Sequence, residues 1–371
     1  MIRKISLTVV LVVGVVWVVA TVLLNLWTKA PAADHLTNAL KPAFTNAGVA
    51  QEQADAKTVN AFVADLNTTT VPLLAKLTHQ SNGQVVALVS KTFPTVGKLL
   101  STNDNSGQPF ADGQTYLAHA AGYITTVSTT FAAQQHNFDN ARQIPTKGLP
   151  TQALTWLFVI LGLVVLSIGG LFIWRPSIAR PLGAALIAIG LVVVAVTLVI
   201  DVPGKTQSVD SITGAFRPVF ATTGALSIDQ GQDYLNAVSA ADKTLETQLV
   251  PTLSSLLKLP SATVVSTLTK TSPVVSAALF SKDPANPNLS VLGGIVSRWD
   301  GIAAIVVAQR SNFANVDDIP GWGMSTTMVQ FLLVGPALLL VLAGLGWVVP
   351  PLGAQQPVQT YRRRTTASVS S

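Results

Sequence analysis

Residues 154–200 read LTWLFVILGLVVLSIGGLFIW (Leu154–Trp174), RPSIARP (Arg175–Pro181) and LGAALIAIGLVVVAVTLVI (Leu182–Ile200). Each apolar run is roughly 20 residues long, enough for a helix to cross about 30 Å of hydrocarbon while satisfying its own backbone. Arg175 and Arg180 stand between them, with no acid. Basic residues in short loops beside spans stay in the cytoplasm, so this stretch predicts two membrane helices joined by a cytoplasmic link.

Two further runs of the same kind lie outward of this pair, Ile5–Trp27 and Met328–Val349. Arg3 and Lys4 precede the first, and Arg362, Arg363 and Arg364 follow the last. The first run is longer than the apolar core of a secretory signal peptide, and an uncleaved anchor is expected. The formal charge of +6 belongs to these flanks: residues 28–151 carry eight basic and seven acidic side chains, and residues 202–324 carry eight and nine. The basic balance is therefore a topology signal, and nucleic-acid binding is not expected. A multi-pass plasma-membrane protein follows, with both termini cytoplasmic and residues of about 28–152 and 202–325 extracytoplasmic. Arg362–Arg364 are placed to grip anionic lipid.

The two outer segments share landmarks in the same order. Leu36, Leu40, Lys41, Pro42, Phe44 and Gly48 return 176 residues later as Ile212, Phe216, Arg217, Pro218, Phe220 and Gly224. Val71-Pro72 and Lys91-Thr92-Phe93-Pro94 return after 179 residues as Val250-Pro251 and Lys270-Thr271-Ser272-Pro273. Asn137-Phe138, Ile144-Pro145 and Gly148 return after 175 as Asn312-Phe313, Ile319-Pro320 and Gly323. Each copy starts and ends in the cytoplasm, so the repeats are parallel.

Apolar stripes at helical spacing cover Leu36–Phe44, Val59–Leu66, Val85–Val96 and Tyr116–Phe131, and no period-two alternation competes with them. Asp34 and Asp210 are expected to cap the first outer helix of each copy. The polar stretches Ser101–Gly113 and Lys282–Ser290 are expected to be loops far from the bilayer. Trp156 and Trp322 suit the interfacial belt, and Ala184 and Ala188 suit close packing of the third span. The expected fold class is an all-α membrane protein with four transmembrane helices and two extracytoplasmic helical bundles in a parallel internal duplication. Its regions are 1–27 (N-terminus and first span), 28–152 (first outer domain), 153–201 (two spans and their link), 202–325 (second outer domain), 326–349 (fourth span) and 350–371 (a disordered cytoplasmic tail).

Chemistry-bearing patterns are sparse. Cysteine is absent, and His35, His79, His119 and His136 all fall in the first copy without metal-ligand spacing. Asp317-Asp318 and the pair Asp229 and Asp233 read as solvated faces, and the spans carry no mid-depth charge of the kind coupled transporters use. No nucleotide loop or nucleophile elbow occurs, so neither an enzyme nor a cofactor is expected. Arg298-Trp299-Asp300 is the candidate partner surface, because Trp and Arg are enriched where proteins bind one another. Lys41 and Arg217 are candidate headgroup contacts. The expected function is a non-enzymatic envelope protein whose paired outer domains bind a membrane or envelope partner or scaffold a complex. The alternative is an oligomeric channel, transporter or lipid-handling protein, with self-association as a second kind of partnership.

Overall fold

The computed structural model describes residues 2–146 and 148–349; the tail 350–371, with Arg362–Arg364, lies outside them. The described residues form helices α1 (Ile2–Leu23), α2 (Leu26–Leu40), α3 (Asn46–Asp65), α4 (Val71–Thr78), α5 (Asn82–Thr92), α6 (Pro94–Leu100), α7 (Tyr116–Ala141) and α8 (Gln152–Trp174). After α8 come α9 (Ala179–Val199), α10 (Val202–Phe220), α11 (Ile228–Thr244), α12 (Val250–Leu257), α13 (Ser261–Thr271), α14 (Pro273–Phe280), α15 (Val291–Asp317) and α16 (Met328–Val348). Among the described residues there is no strand, only the isolated bridges Asn103–Pro109 and Lys282–Ser290.

Five of these helices are long and apolar enough to cross a membrane: Arg3–Leu23, Gln152–Trp174, Pro176–Val199, Val291–Asp317 and Met328–Val348. The bent pair Ile228–Leu257 and Ser261–Thr271 passes the same test. These helices fit a multi-pass membrane protein. Val291–Asp317 was not expected among them; it carries Arg298, Asp300 and Arg310 and packs on α2 and α11. The first apolar helix is shorter than its sequence run, because Asn25 takes the left-handed conformation and breaks the chain before α2.

The bulk of α1, α8, α9 and α16 makes one compact unit, and Leu24–Thr155 with Asp201–Met328 makes another. Within the first, Gly183 of α9 lies so close to α16 that a Cβ there would stand 2.7 Å from the Gly344 carbonyl, and one on Gly344 would stand 2.6 Å from the Gly183 carbonyl. Trp17 donates its indole N–H to the Leu332 carbonyl at 2.9 Å, and Phe172 stacks on Trp347 at 4.1 Å. The expected packing pair Ala184 and Ala188 is exposed instead, since the face that closes is that of Gly183, Leu186 and Gly190. Gly183→Leu is expected to destabilise this unit by about 1–3 kcal/mol, because a side chain there must push apart backbones that touch. Ala184→Leu should leave the melting temperature in detergent nearly unchanged, and equal shifts for the two would refute the assignment.

The second unit joins the two long segments rather than holding them as separate bundles. Helix α2 packs on α15 and α10 on α7, so each half lends its first helix to the other's last. One hydrophobic core runs through both halves. Lys29 of α2 is buried and donates to Asp318 Oδ2 and the Asp318 carbonyl, both at 2.7 Å, beside the Ile319-Pro320 turn. Lys205 of α10 donates to the carbonyls of Gln143 and Pro145 at 3.1 and 3.2 Å, beside the Ile144-Pro145 turn. The sequence landmarks pair within each half: Phe44 stacks on Phe138 at 4.0 Å, and Phe220 stacks on Phe313 at 4.1 Å.

Asp34 and Asp210 are not helix caps. Both sit inside their helices, because α2 runs on through Pro31 and α10 starts earlier, capped by Asp201 on Gly204 N–H at 3.1 Å. Their carboxylates reach across the chain instead. Asp34 accepts from the amide and hydroxyl of Thr151 at 3.0 and 2.7 Å, and Asp210 from the amide of Thr326 at 2.7 Å. The stripe expected over Val85–Val96 is two helices. Pro94 keeps Phe93 out of the helical conformation between them (φ −128°, ψ 80°), as Pro273 does at Ser272 (φ −131°, ψ 65°).

Candidate functional site

Helices α3 and α11 each pass through a single π-helical turn, Leu66–Thr70 and Leu245–Leu249, into a short helical hairpin. The hairpins are α4–α5 and α12–α13. Each has Pro in its first turn, Pro72 or Pro251, directly after the π-helical turn. Each turns on a left-handed residue, His79 at φ 54° or Lys258 at φ 52°. Leu74 of the first hairpin packs against the core of the second, formed by Leu253, Val264 and Leu268.

Between the hairpins lies a cleft enclosing about 910 Å³ of space, some of it open to solvent. Phe62 and Leu117 contribute to its lining, with Leu74, Val85, Leu249 and Leu253 on the hairpin side. Its accessible lining is wholly apolar. Four threonines, Thr70, Thr78, Thr92 and Thr252, also line it, yet their hydroxyls are turned away. Thr70 donates to Ser272 Oγ at 3.0 Å and Thr78 to the Leu74 carbonyl at 2.7 Å. A cleft with this lining suits hydrocarbon and offers nothing to orient a polar substrate.

The polar cluster of the same unit is elsewhere, around Arg298. Its guanidinium donates to Asp55 from Nε at 3.0 Å and from Nη2 at 2.7 Å, and to Asp283 from Nη1 at 2.8 Å. The side chains of Asp55 and Asp283 are 4 % and 2 % exposed. Burial alone would raise the Asp283 carboxyl, but bonds from Arg298 and from the amides of Ala285 and Asn286 hold it below the usual range. Glu52, one turn before Asp55, is buried and its Oε2 has no hydrogen-bond partner. Burial first, and the Asp55 charge second, push its pKa up to about 8. Tyr123 is the residue that the 175-residue sequence offset aligns with Arg298. It lies against Gly231, where a Cβ would meet its ring at 2.3 Å.

The residues singled out in the sequence are thus dispersed. Trp299 is buried at 2 % exposure and Arg298 is spent on two carboxylates, while Asp300 is exposed on another side of α15. Three consecutive helical residues point about 100° apart, so the triplet makes no continuous outer surface. Arg217 is exposed and paired with Asp317 at 2.7 Å, and Lys41 is exposed just after α2. Both lie near the ends of α2 and α10 remote from α1 and α9 in the chain.

The acidic pairs are also engaged. Asp318 takes Lys29, Asp229 takes Arg310 at 2.6 Å, and Asp233 accepts from Asn105 at 2.8 Å. Among the described residues no group of three or more His, Asp or Glu is placed to hold a metal ion. The cleft escapes a reading of the sequence because its leucines and valines look like ordinary helix cores. The one usable signal is that each hairpin is too short to bury all of them. No family model matches the chain, and no curated protein or solved structure does.

Proposed function

We propose that this chain is a four-span plasma-membrane protein, made by tandem duplication and with both termini cytoplasmic. Its joined outer unit holds the hydrocarbon portion of a lipid in the cleft between the hairpins. The wholly apolar lining supports this reading: ligand sites usually carry a few converging polar groups that orient the ligand, and here the accessible lining has none. Recognition of chain without headgroup is lipid handling, and it takes precedence over the scaffold reading because the Arg298-Trp299-Asp300 surface is not assembled. The duplication is supported by the recurring succession of π-helical turn, hairpin, proline-started helix and long last helix, and the orientation by the flanking arginines and lysines.

Native mass spectrometry of protein extracted gently from its own membrane tests the proposal. Retained lipid is expected; a lipid-free protein in every mild detergent, or a fixed heteromer without lipid, sinks it. Thr252 lines the cleft and is half-buried. Thr252→Trp should displace at least two methylenes of a bound chain, at about 0.8 kcal/mol each. Lipid retention should then fall about tenfold. Unchanged retention would place the lipid elsewhere on the protein.

A further inference from the structure

The ends of the two hairpins differ from the rest of the unit in charge and in exposed carbon. None of the chain's 17 Asp and Glu falls within Val71–Thr92 or Val250–Thr271, while Lys76, Lys91, Lys258, Lys270 and His79 do. At the turns, Leu77, Leu256 and Leu259 are 38 %, 52 % and 38 % exposed. Lys76 and Lys258 stand next to them and are exposed. Leu256 also lines the cleft, so the apolar surface of the tips continues into the cavity. The first hairpin's helices, of 8 and 11 residues, are too short to span a bilayer, and in the second α12 continues from α11 to a bend of 105° before α13. Leucines with flanking lysines suit the boundary of headgroups and acyl chains instead, where the lysine stems lie on carbon and the ammonium groups meet phosphate.

The tips lie at the end of the unit opposite the points where the chain leaves it. Helix α3 runs antiparallel to α7: Gln135 donates to Asn46 at 2.7 Å, and Asn60 donates to Thr125 at 2.7 Å. The first hairpin therefore emerges near the start of α7, beside Leu117, whereas the end of α7 leads to α8. The 26 residues of α7 separate these ends by about 39 Å.

We propose that the hairpin tips dock on a second, anionic lipid surface, separate from the bilayer that holds the spans. This docking gives the cleft access to acyl chains there; it rests on the lipid-handling reading only for its purpose, since the tips and the cleft are tested apart.

The full-length protein in nanodiscs of neutral phosphatidylcholine, mixed with fluorescent vesicles, supplies the test. Vesicles with roughly one anionic phosphatidylglycerol in three lipids should be captured in a flotation assay, and neutral vesicles should not. Capture should weaken between about 0.05 and 0.5 M salt. Joint replacement Leu77→Ser and Leu259→Ser, neither of which lines the cleft, should reduce it about tenfold, because docking would bury their remaining exposed surface. Lys76→Gln and Lys258→Gln should each cost roughly fivefold. All these side chains are exposed, so the melting temperature serves as a check on folding. Equal capture of neutral and anionic vesicles, capture unaffected by the double variant, or capture that follows the lipid of the disc rather than of the vesicle overturns the proposal. So does a photocrosslinker at position 256 that labels a protein and not lipid in native membranes. Capture with an empty cleft would fell the lipid-handling reading and leave docking intact; a loaded cleft without capture would do the reverse.

Discussion

Arg298→Met is expected to destabilise the helical unit by about 3–5 kcal/mol, the usual consequence of removing one partner from a buried ion pair. The reason lies in what remains. Asp55 keeps one bond, from Gln51 Nε2 at 2.8 Å, and Asp283 keeps the amides of Ala285 and Asn286 at 2.7 and 3.0 Å, but neither keeps a cation. Two carboxylates almost without solvent would then have to take up protons or draw in water. The fork of the guanidinium is essential, because its three nitrogens serve two acids that come from α3 and from the loop before α15. Arg298→Lys should recover only a fraction of the loss, since an ammonium cannot make the bidentate contact with Asp55 and still reach Asp283. Arg217→Met removes an ion pair whose arginine is 66 % exposed and should cost less than about 1 kcal/mol. A thermal melt in mild detergent separates the two: a drop of about 10 °C is expected for Arg298→Met and little change for Arg217→Met. Comparable drops would show that the depth of Asp55 and Asp283 does not govern stability.

This cluster also shows where the sequence is legible and where it is not. Residues 55 and 298 are 243 positions apart, and nothing local to either states that they meet. Helical periodicity tells which face of a segment must be covered, as it does for Leu36, Leu40 and Phe44. It is silent on which helix does the covering. Hence two separate bundles are expected from the sequence, while α2 and α10 cross to the other half. The same limit hides Lys29 and Lys205, which look like surface lysines until the opposite turn closes on them. Local signals fare better. The apolar runs become helices with ends shifted by a few residues, and the Asn-Phe and Pro-x-Phe landmarks become stacked ring pairs. Pro94 and Pro273 are legible as helix breaks, but the apolar spacing on either side of Pro94 mimics one continuous stripe. The cleft is the hardest to foresee, because a cavity is defined by what two hairpins fail to fill, and packing volume is not a property of either sequence alone.

Glu52→Met is expected to stabilise the protein above pH 6, by an amount that grows until about pH 8. In the folded chain the Glu52 carboxyl keeps its proton up to about pH 8, against an ordinary value of 4.5, because burial and then the Asp55 charge oppose ionisation. The unfolded chain releases that proton near the ordinary value. Between the two the folded state binds more protons, so stability is full below about pH 4.5 and declines as pH rises toward 8. Asp242 acts in the same direction lower down. Burial, then Glu246, raise its pKa to about 6 against the opposing bond from Ser290, so its share of the decline ends near pH 6. From pH 6 to 8 the slope from these two acids belongs to Glu52 alone, and at about 1.4 kcal/mol per pH step it amounts to roughly 2–3 kcal/mol. Methionine has similar length, fills irregular space and needs no hydrogen-bond partner where Oε2 has none. The wild type should therefore lose several degrees of melting temperature between pH 6 and 8 while Glu52→Met holds nearly level. Glu52→Gln should flatten the slope as well, though with a lower plateau, since its amide leaves buried donors unpaired. Parallel pH profiles for all three proteins would mean that Glu52 is ionised and solvated in the native fold, and the polar cluster would then have to be redrawn with a charged Glu52 beside Asp55.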